Sequence, residues 1–223
     1  MRKSLLLVIT IALFASCTGS GNQQSSEAKE SKQVTTANLT QEEIKAKSFD
    51  ELFKSIRPEE IPESVFKLVG SDYTVITAGK PDNYNSMVAS YGGWGQLFDV
   101  PVTWCFLRAN RFTLEYMRKE QSYTMAYFDA PYKEQIMLFG TKSGRDTDKM
   151  KQHTLTSVQT PSGNISYKEA KLIIECKLTE VTTVSPDDFY NQKGKDFVTD
   201  GYNEAKDYHK LVFGDISNVW VRK

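Results

Sequence analysis

Two short segments of this 223-residue sequence combine basic, hydroxyl and amide side chains with the start of a predicted helix. The first, Arg108-Ala-Asn110-Arg111-Phe-Thr113, directly follows an apolar run that predicts a strand. Two guanidiniums, an amide and a hydroxyl at that position can bind an anion together with the free amide groups of the helix. The alternative is a solvated helix start with Thr113 as its N-cap, and the spacing alone favours neither interpretation.

The second segment, residues 140–146 (GTKSGRD), is a loop of glycine and hydroxyl residues that carries Lys142 and Arg145. It lacks the Gly-Lys-Ser/Thr spacing of a P-loop. The sequence has 28 basic and 28 acidic side chains, so its formal net charge is zero and nothing in it indicates a nucleic-acid surface. Two anion-binding loops in such a protein indicate a phosphorylated ligand.

The remaining chemistry-bearing residues give weaker signals. Cys105 and Cys176 both lie in apolar strand-like runs without a CxxC or Cys/His cluster, which argues against a metal site or a thiol redox site. A disulfide between them and two separate core residues are both compatible with the pattern. His209 lies in a predicted strand, where an isolated histidine is more often structural than catalytic.

The amino-terminal region has the order of an exported lipoprotein. Residues 1–16 have a basic start, a short apolar run and small residues before Cys17, and this predicts a signal peptide cleaved ahead of a lipidated cysteine. The alternative is an ordinary cleaved signal with an incidental cysteine. Residues 17–38 are rich in Ser, Gln, Thr and Gly and predict a flexible tether. Residues 39–223 then form one domain, which the anchor would hold at the cell envelope, at the outer membrane or facing the periplasm.

Within that domain, β-strand signals outnumber helical ones. Thr40 is a predicted N-cap of a helix that extends to about Arg57. Gly92, Gly93 and Gly95 predict a turn, and the alternative is a place where a ligand or another backbone approaches closely. Further helices are predicted over 111–120, 131–139 and 145–152, and the chain ends in a predicted strand pair, 208–213 and 218–221. Many short strands with a few helices indicate a mainly β (α+β) fold, a β-barrel with short peripheral helices.

Four motifs in order resemble those of the flavin reductase-like family, and within it the flavoredoxin branch. The stretch NSMVASYGG is similar to the family's N-x-M-T-A-S-W-G-G, and RANRFTLE to its R-P-x-R-Y-T-x-E. Further on, GTKSGRDTDK is similar to G-x-x-S-G-R-D-x-D-K, and the closing HKLVFGDI to H-x-x-x-x-G-E-I. The resemblance covers roughly residues 66–221. Val88 and Tyr91 stand where the family has Thr and Trp, and Ala109-Asn110 replaces its Pro-containing pair.

The resemblance implies an FMN-binding split β-barrel, usually a homodimer with the flavin near the subunit interface. It implies flavin contacts from the first motif, phosphate contacts from the second and third, and a histidine near the flavin, His209, as the candidate catalytic residue. The implied cofactor-binding residues are Asn85, Met87, Ala89, Ser90, Tyr91, Gly92, Gly93, Arg108, Asn110, Arg111, Thr113, Ser143, Gly144 and Arg145.

The expected function is that of an FMN-dependent oxidoreductase or electron carrier at the cell envelope. The electron donor and acceptor are not identified by the sequence. A lipid anchor would separate the flavin from the reduced nicotinamide cofactors of the cytoplasm, which favours a membrane or periplasmic donor. The alternative is a lipoprotein that binds or scavenges flavin without catalysis.

Overall fold

The computed structural model describes residues 39–202 and 207–223, so the predicted signal peptide, Cys17 and the tether lie outside the described residues. The helices of the described part are α1 Gln41–Ala46, α2 Phe49–Leu52, α3 Val65–Lys67, α4 Phe112–Glu120, α5 Lys133–Thr141 and α6 Gln192–Tyr202. Its strands are β1 Phe53–Ile56, β2 Thr74–Lys80, β3 Asn83–Ala89, β4 Gly92–Leu97, β5 Val100–Arg108, β6 Ser122–Tyr127, β7 Ser157–Gln159, β8 Ile165–Tyr167, β9 Leu172–Thr183 and β10 His209–Arg222.

Eight of these strands form one antiparallel sheet in the order β3-β2-β6-β9-β10-β5-β4, with β1 paired to β10. Strands β7 and β8 form a separate hairpin. The sheet is not a closed barrel, because β3 and β4 end the strand order without pairing to each other. The expected mainly β, α+β fold with short peripheral helices is confirmed. The two strands at the ends of this order, β3 and β4, carry the first flavin reductase-like motif.

The apolar sides of the strands face a core that the helices close. Fully buried Tyr123, Met125 and Ile174 pack with Leu114 and Met117 of α4 in one cluster. A second cluster lies under α1, α2 and α5 and contains the Trp220 indole. Burying side chains of this size contributes roughly 1.5–3 kcal/mol each. The core therefore fixes α4 and α5 relative to β3, and these are the elements that carry the two basic loops.

Several sequence-based predictions of local structure are wrong. The predicted helix 40–57 begins at the Thr40 N-cap but ends at Ala46, and Ser48 starts α2 with a capping box of its own to Glu51. Residues 53–56 are not helical because they pair with the end of β10. Residues 92–95 belong to β4 rather than to a turn.

Two more predictions fail near the carboxyl end. Residues 145–152 contain only a short 3₁₀ segment, Lys149–Lys151, instead of a helix. The predicted closing strand pair is one continuous strand, β10, which bulges at Phe213/Gly214 and at Ile216/Asn218. Bulges let a long strand bend with the sheet, so that its first half pairs with β5 and its second half with β1.

The two cysteines of the domain are free and fully buried in the core. The Cys176 thiol lies 3.2 Å from the Thr103 hydroxyl, which in turn lies 2.9 Å from the Tyr123 hydroxyl. Burial raises the pKa of both thiols above the usual range. Of the two interpretations left open by the sequence, the structure supports separate core residues.

Candidate functional site

The two basic loops of the sequence meet at one cavity of about 270 Å³, which we call the basic cleft. One wall is strand β3, a second is the first turn of α4, and the third is the loop that follows α5. The residues that line it are Asn85, Met87, Val88, Asn110, Arg111, Phe112, Thr113, Phe139, Gly140, Lys142, Ser143, Gly144, Arg145, Asp146 and Lys149.

Asn85 belongs to the β3 wall and contacts both of the other walls. Its side chain is 3% exposed, and its Nδ2 donates a hydrogen bond of 2.6 Å to the Thr113 hydroxyl at the start of α4. Its amide oxygen lies against Gly144, where a Cβ atom would overlap it. A residue with a side chain at position 144 would therefore push the third wall away from the other two.

The start of α4 presents hydrogen-bond donors to the cleft. Arg111 is the N-cap residue in extended conformation, so the first amide groups of the helix lack intrahelical partners. Thr113 is not the cap, because it lies buried inside the first turn and accepts from Asn85. The Arg111 guanidinium lines the cleft and, within the described residues, has no ion pair, in contrast to those of Arg108 and Arg145. Arg111 is thus available to a ligand.

Arg145 contributes more to the shape of the cleft than to its positive charge. Its guanidinium donates to the Asn110 carbonyl at 2.6 Å, pairs with Glu115 of α4 and lies 4.9 Å above the centre of the Phe112 ring. Its backbone amide donates to the Ser143 hydroxyl at 3.2 Å. Because Glu115 neutralises it, Arg145 mainly ties the third wall to α4.

Lys149 supplies a buried cation that the sequence analysis did not single out. Its side chain is 4% exposed, and its ammonium donates to the carbonyls of Phe139 and Lys142, both at 2.9 Å. Burial and the neighbouring Arg111 charge lower the pKa of Lys149 to about 8. Lys149 is the last residue of the GTKSGRDTDK motif, so the motif could have indicated it as a site residue. Its burial, however, depends on tertiary contacts.

Arg108 and His209 lie side by side outside the lining of the cleft. They are paired residues of β5 and β10. The Arg108 guanidinium donates to the Gly201 carbonyl at 2.7 Å, lies 3.7 Å from the Asp207 carboxylate and stacks over the Tyr202 ring. The structure therefore places Arg108 against the end of α6. Burial, then the charges of Arg108 and Arg111, lower the pKa of His209 to about 4, so its ring is neutral at neutral pH.

The stretch from Met87 to Tyr91, which includes the end of β3 and the two residues after it, leads from the cleft towards His209. Met87 lines the cleft, Ala89 is buried, Ser90 is partly exposed and Tyr91 is half exposed, with its ring centre 6.1 Å from that of His209. These positions agree with a surface that a planar group could follow, and their flavin contacts stay predictions.

Gly92 and Gly93 have a structural explanation within the chain. Gly92 has φ of 150°, and a Cβ there would overlap the Trp104 carbonyl oxygen. A Cβ at Gly93 would lie 2.8 Å from Cζ2 of the Trp104 indole. Both glycines are required for β4 to pack on β5, whether or not a ligand also approaches them.

The donor set of the cleft suits a phosphate group. Arg111, Lys142 and Lys149 bring positive charge, the hydroxyl of Ser143 and the α4 amides bring hydrogen-bond donors, and Asp146 is the single carboxylate in the lining. Residues 39–202 and 207–223 contain no group of His, Cys, Asp or Glu side chains that could hold a metal ion. The part of the chain described here has no helix long and apolar enough to cross a membrane.

A family model for the flavin reductase like domain matches residues 66–223. The chain belongs to this family. Its flavin reductase-like domain begins inside α3 and takes in every later element to β10, while α1, α2 and β1 precede it. Both walls of the cleft that carry basic side chains lie within the domain, as do Arg108 and His209.

Solved structures similar to this flavin reductase-like chain include an FMN-binding protein from Thermus thermophilus with bound 1-cyclohex-2-enone. It is 19% identical with a TM-score of 0.53, over 75% of this chain and 80% of that one. Flavoredoxin from Methanosarcina acetivorans is 14% identical with a TM-score of 0.51, over 67% and 68% of the two chains. Flavoredoxin of Desulfovibrio vulgaris (Miyazaki F) is 19% identical with a TM-score of 0.50, over the same shares. No curated protein matches the chain significantly.

Proposed function

We propose that this protein binds FMN with its phosphate in the basic cleft and works as a flavin-dependent redox protein. The observation that carries the proposal is the meeting of Arg111, Lys149 and Ser143 at one cavity in a chain of the flavin reductase-like family. The similar Thermus protein and the two flavoredoxins support the choice of cofactor. Bound FMN supplies one- and two-electron transfer, and the protein contributes binding, orientation and control of access.

The residues of the cleft have distinct parts in this proposal. Arg111 and Lys149 hold the phosphate with charge-assisted hydrogen bonds, and the first amides of α4 add neutral donors. Asn85, Gly144 and Arg145 hold the three walls at the separation that the phosphate requires. The stretch from Met87 to Tyr91 then directs the rest of the cofactor along β3 towards β4 and His209.

We further propose that the protein works at the cell envelope as a homodimer anchored through a lipid on Cys17. The signal-like residues 1–16 and the polar segment 17–38 support the anchor. An electron donor in the membrane or the periplasm then feeds the flavin, since reduced nicotinamide cofactors are confined to the cytoplasm. The purified protein is therefore expected to oxidise NADH slowly at most.

The visible spectrum of the purified full chain tests the proposed cofactor. We expect the absorbance of an oxidised flavin, bleached by dithionite and restored by air, with the FMN retained by the protein through the cycle. A colourless protein that gains no bound flavin after FMN is added contradicts the proposal. Bound FMN that is lost on reduction would instead favour a protein that only scavenges flavin.

The affinity for FMN is expected to fall as the pH rises through about 8, because Lys149 loses its proton there in the free protein. The FMN phosphate has its second pKa at about 6 and stays doubly charged above that pH, so this titration belongs to the protein. A bound phosphate favours the charged ammonium, and the loss approaches about tenfold per pH unit above that value. Fluorescence titrations of FMN between pH 7 and 9.5 measure it.

Two variants separate this effect from a general loss of structure. Lys149→Arg keeps its charge over the whole range, so its FMN affinity should not change with pH. Lys151→Ala removes an exposed lysine that pairs with Asp148, and it should keep the wild-type profile. A Lys149→Arg protein with the same decline as the wild type would show that another group titrates.

A further inference from the structure

A second cavity shares no lining residue with the basic cleft. It has a volume of about 420 Å³, and we call it the aromatic groove. Phe106 of β5 and His209 of β10 form part of its lining, together with Phe197 and Tyr202 of α6 and Tyr91 before β4. The proposed phosphate site does not use this space, whereas Tyr91 and His209, which the family resemblance places near the flavin, both line it.

The chain holds the groove open by specific contacts. Arg108 binds the Gly201 carbonyl and stacks on Tyr202, so the end of α6 is fixed against β5. The His209 ring meets the rings of Tyr91 and Tyr202 edge-on, at centre distances of 6.1 Å and 5.3 Å. The polar ring of His209 therefore has a set orientation within an otherwise apolar lining.

The chemistry of the lining restricts what can bind. None of the described residues that line the groove is acidic, and none is a lysine or arginine, so a charged ligand would lose hydration without gaining a counter-charge. Flat aromatic walls favour a planar ring. His209 is neutral at neutral pH and can donate one hydrogen bond from its imidazole N–H to a carbonyl oxygen.

The groove is also continuous with the proposed cofactor path. The stretch from Asn85 to Tyr91 begins at the basic cleft and ends at the groove. Arg111 of the cleft is near enough to His209 for its charge to influence that ring. A ligand in the groove would therefore lie next to the end of a cofactor whose phosphate occupies the cleft.

We propose that the aromatic groove is a binding site for a neutral, planar ring compound with carbonyl oxygens, of the quinone class. Its ring packs between Phe106, Phe197 and Tyr202, and a carbonyl oxygen accepts a hydrogen bond from His209. The role of such a ligand as redox partner rests on the proposed function, whereas its binding does not require flavin.

Equilibrium dialysis with duroquinone tests the site on the full chain. This quinone has no open ring position, so it cannot add to thiols or amines. We expect saturable binding of one molecule per chain, both without flavin and in the presence of saturating oxidised FMN. Binding measured without flavin keeps this test separate from that of the proposed function, because FMN affinity is determined in its own titration.

Variants then locate the ligand. Phe197 is 62% exposed, so Phe197→Ala should fold normally and bind duroquinone about five- to tenfold more weakly through loss of an aromatic wall. His209→Phe removes the hydrogen bond and should weaken binding about three- to tenfold. Phe66→Ala is the matched control, because Phe66 is 87% exposed and does not line the groove.

Four results would overturn the proposal. Absence of saturable binding, or equal binding by the wild type and both groove variants, would mean that no quinone site exists there. Competition between FMN and duroquinone would make the groove part of the cofactor site. Loss of a dimer in Phe197→Ala without quinone binding by the wild type would make it a contact between copies of the chain.

Discussion

Replacing Arg111 with alanine is expected to raise the dissociation constant for FMN by about tenfold to a hundredfold. Arg111 lines the basic cleft at the first turn of α4 and is without an ion pair in the described residues, so its whole charge is available to the phosphate. Loss of a hydrogen bond to a charged group costs about 1.5–3 kcal/mol, and each 1.4 kcal/mol corresponds to about tenfold in affinity. Quenching of FMN fluorescence on titration measures the change.

Two other arginines serve as controls for this result. Arg118→Ala removes an exposed arginine from the last turn of the same helix and should leave the FMN affinity within about twofold. Arg108→Ala should weaken FMN binding less than Arg111→Ala, because the Arg108 guanidinium contacts Gly201, Asp207 and Tyr202. A larger effect at Arg108 than at Arg111 would show that the phosphate lies on the α6 side.

Replacing Gly144 with alanine should both destabilise the protein and reduce FMN affinity. The added Cβ would overlap the amide oxygen of Asn85 and lie 3.0 Å from its Cγ, while Asn85 is held by Thr113. Overpacking of this kind costs about 1–3 kcal/mol of the free energy of unfolding. Outward movement of the third wall relieves part of this overlap but widens the cleft, so FMN affinity should also fall by about tenfold or more through the lost phosphate contacts. Urea denaturation and FMN titration report the two effects.

A double-mutant cycle tests the stated cause. Asn85→Ala removes the atom that the new Cβ would strike, so the double variant Asn85→Ala/Gly144→Ala should be more stable than the sum of the two single changes predicts, by about 0.5–3 kcal/mol. Gly70→Ala is the matched glycine control, since a Cβ there has no neighbour within 4 Å. Additive effects of the Asn85 and Gly144 substitutions would contradict the contact.

In the structure, the two arginines of the RANRFT segment have different roles, although the sequence suggested that both bind the same anion. Arg108 and Arg111 are three residues apart, but β5 ends at Arg108 and α4 begins after Arg111. The change from strand to helix turns the two side chains to different sides. Arg108 fixes α6 beside the aromatic groove, and Arg111 contributes positive charge to the basic cleft. The proposed phosphate site and the proposed ring site therefore lie on either side of the turn between β5 and α4.

Local patterns in the sequence determined the fold class and the positions of both basic loops. Thr40 as a helix start and the helix after Arg111 depend on contacts between near neighbours, and the structure confirms them. The ordered motifs were sufficient to indicate the family. Both loops were predicted to bind an anion, and the basic cleft brings them together.

Only the tertiary structure decided which cations face the cleft. Lys149 lines the cleft because its ammonium donates hydrogen bonds to two carbonyls at the end of α5. Arg145 connects the third wall to α4 because it forms an ion pair with Glu115. Residues 53–56 became a strand because the far end of β10 offered an unpaired edge, which outweighed their local helical pattern. Each of these outcomes depends on partners between 7 and 169 positions away in the sequence, and local spacing carries no information about such partners.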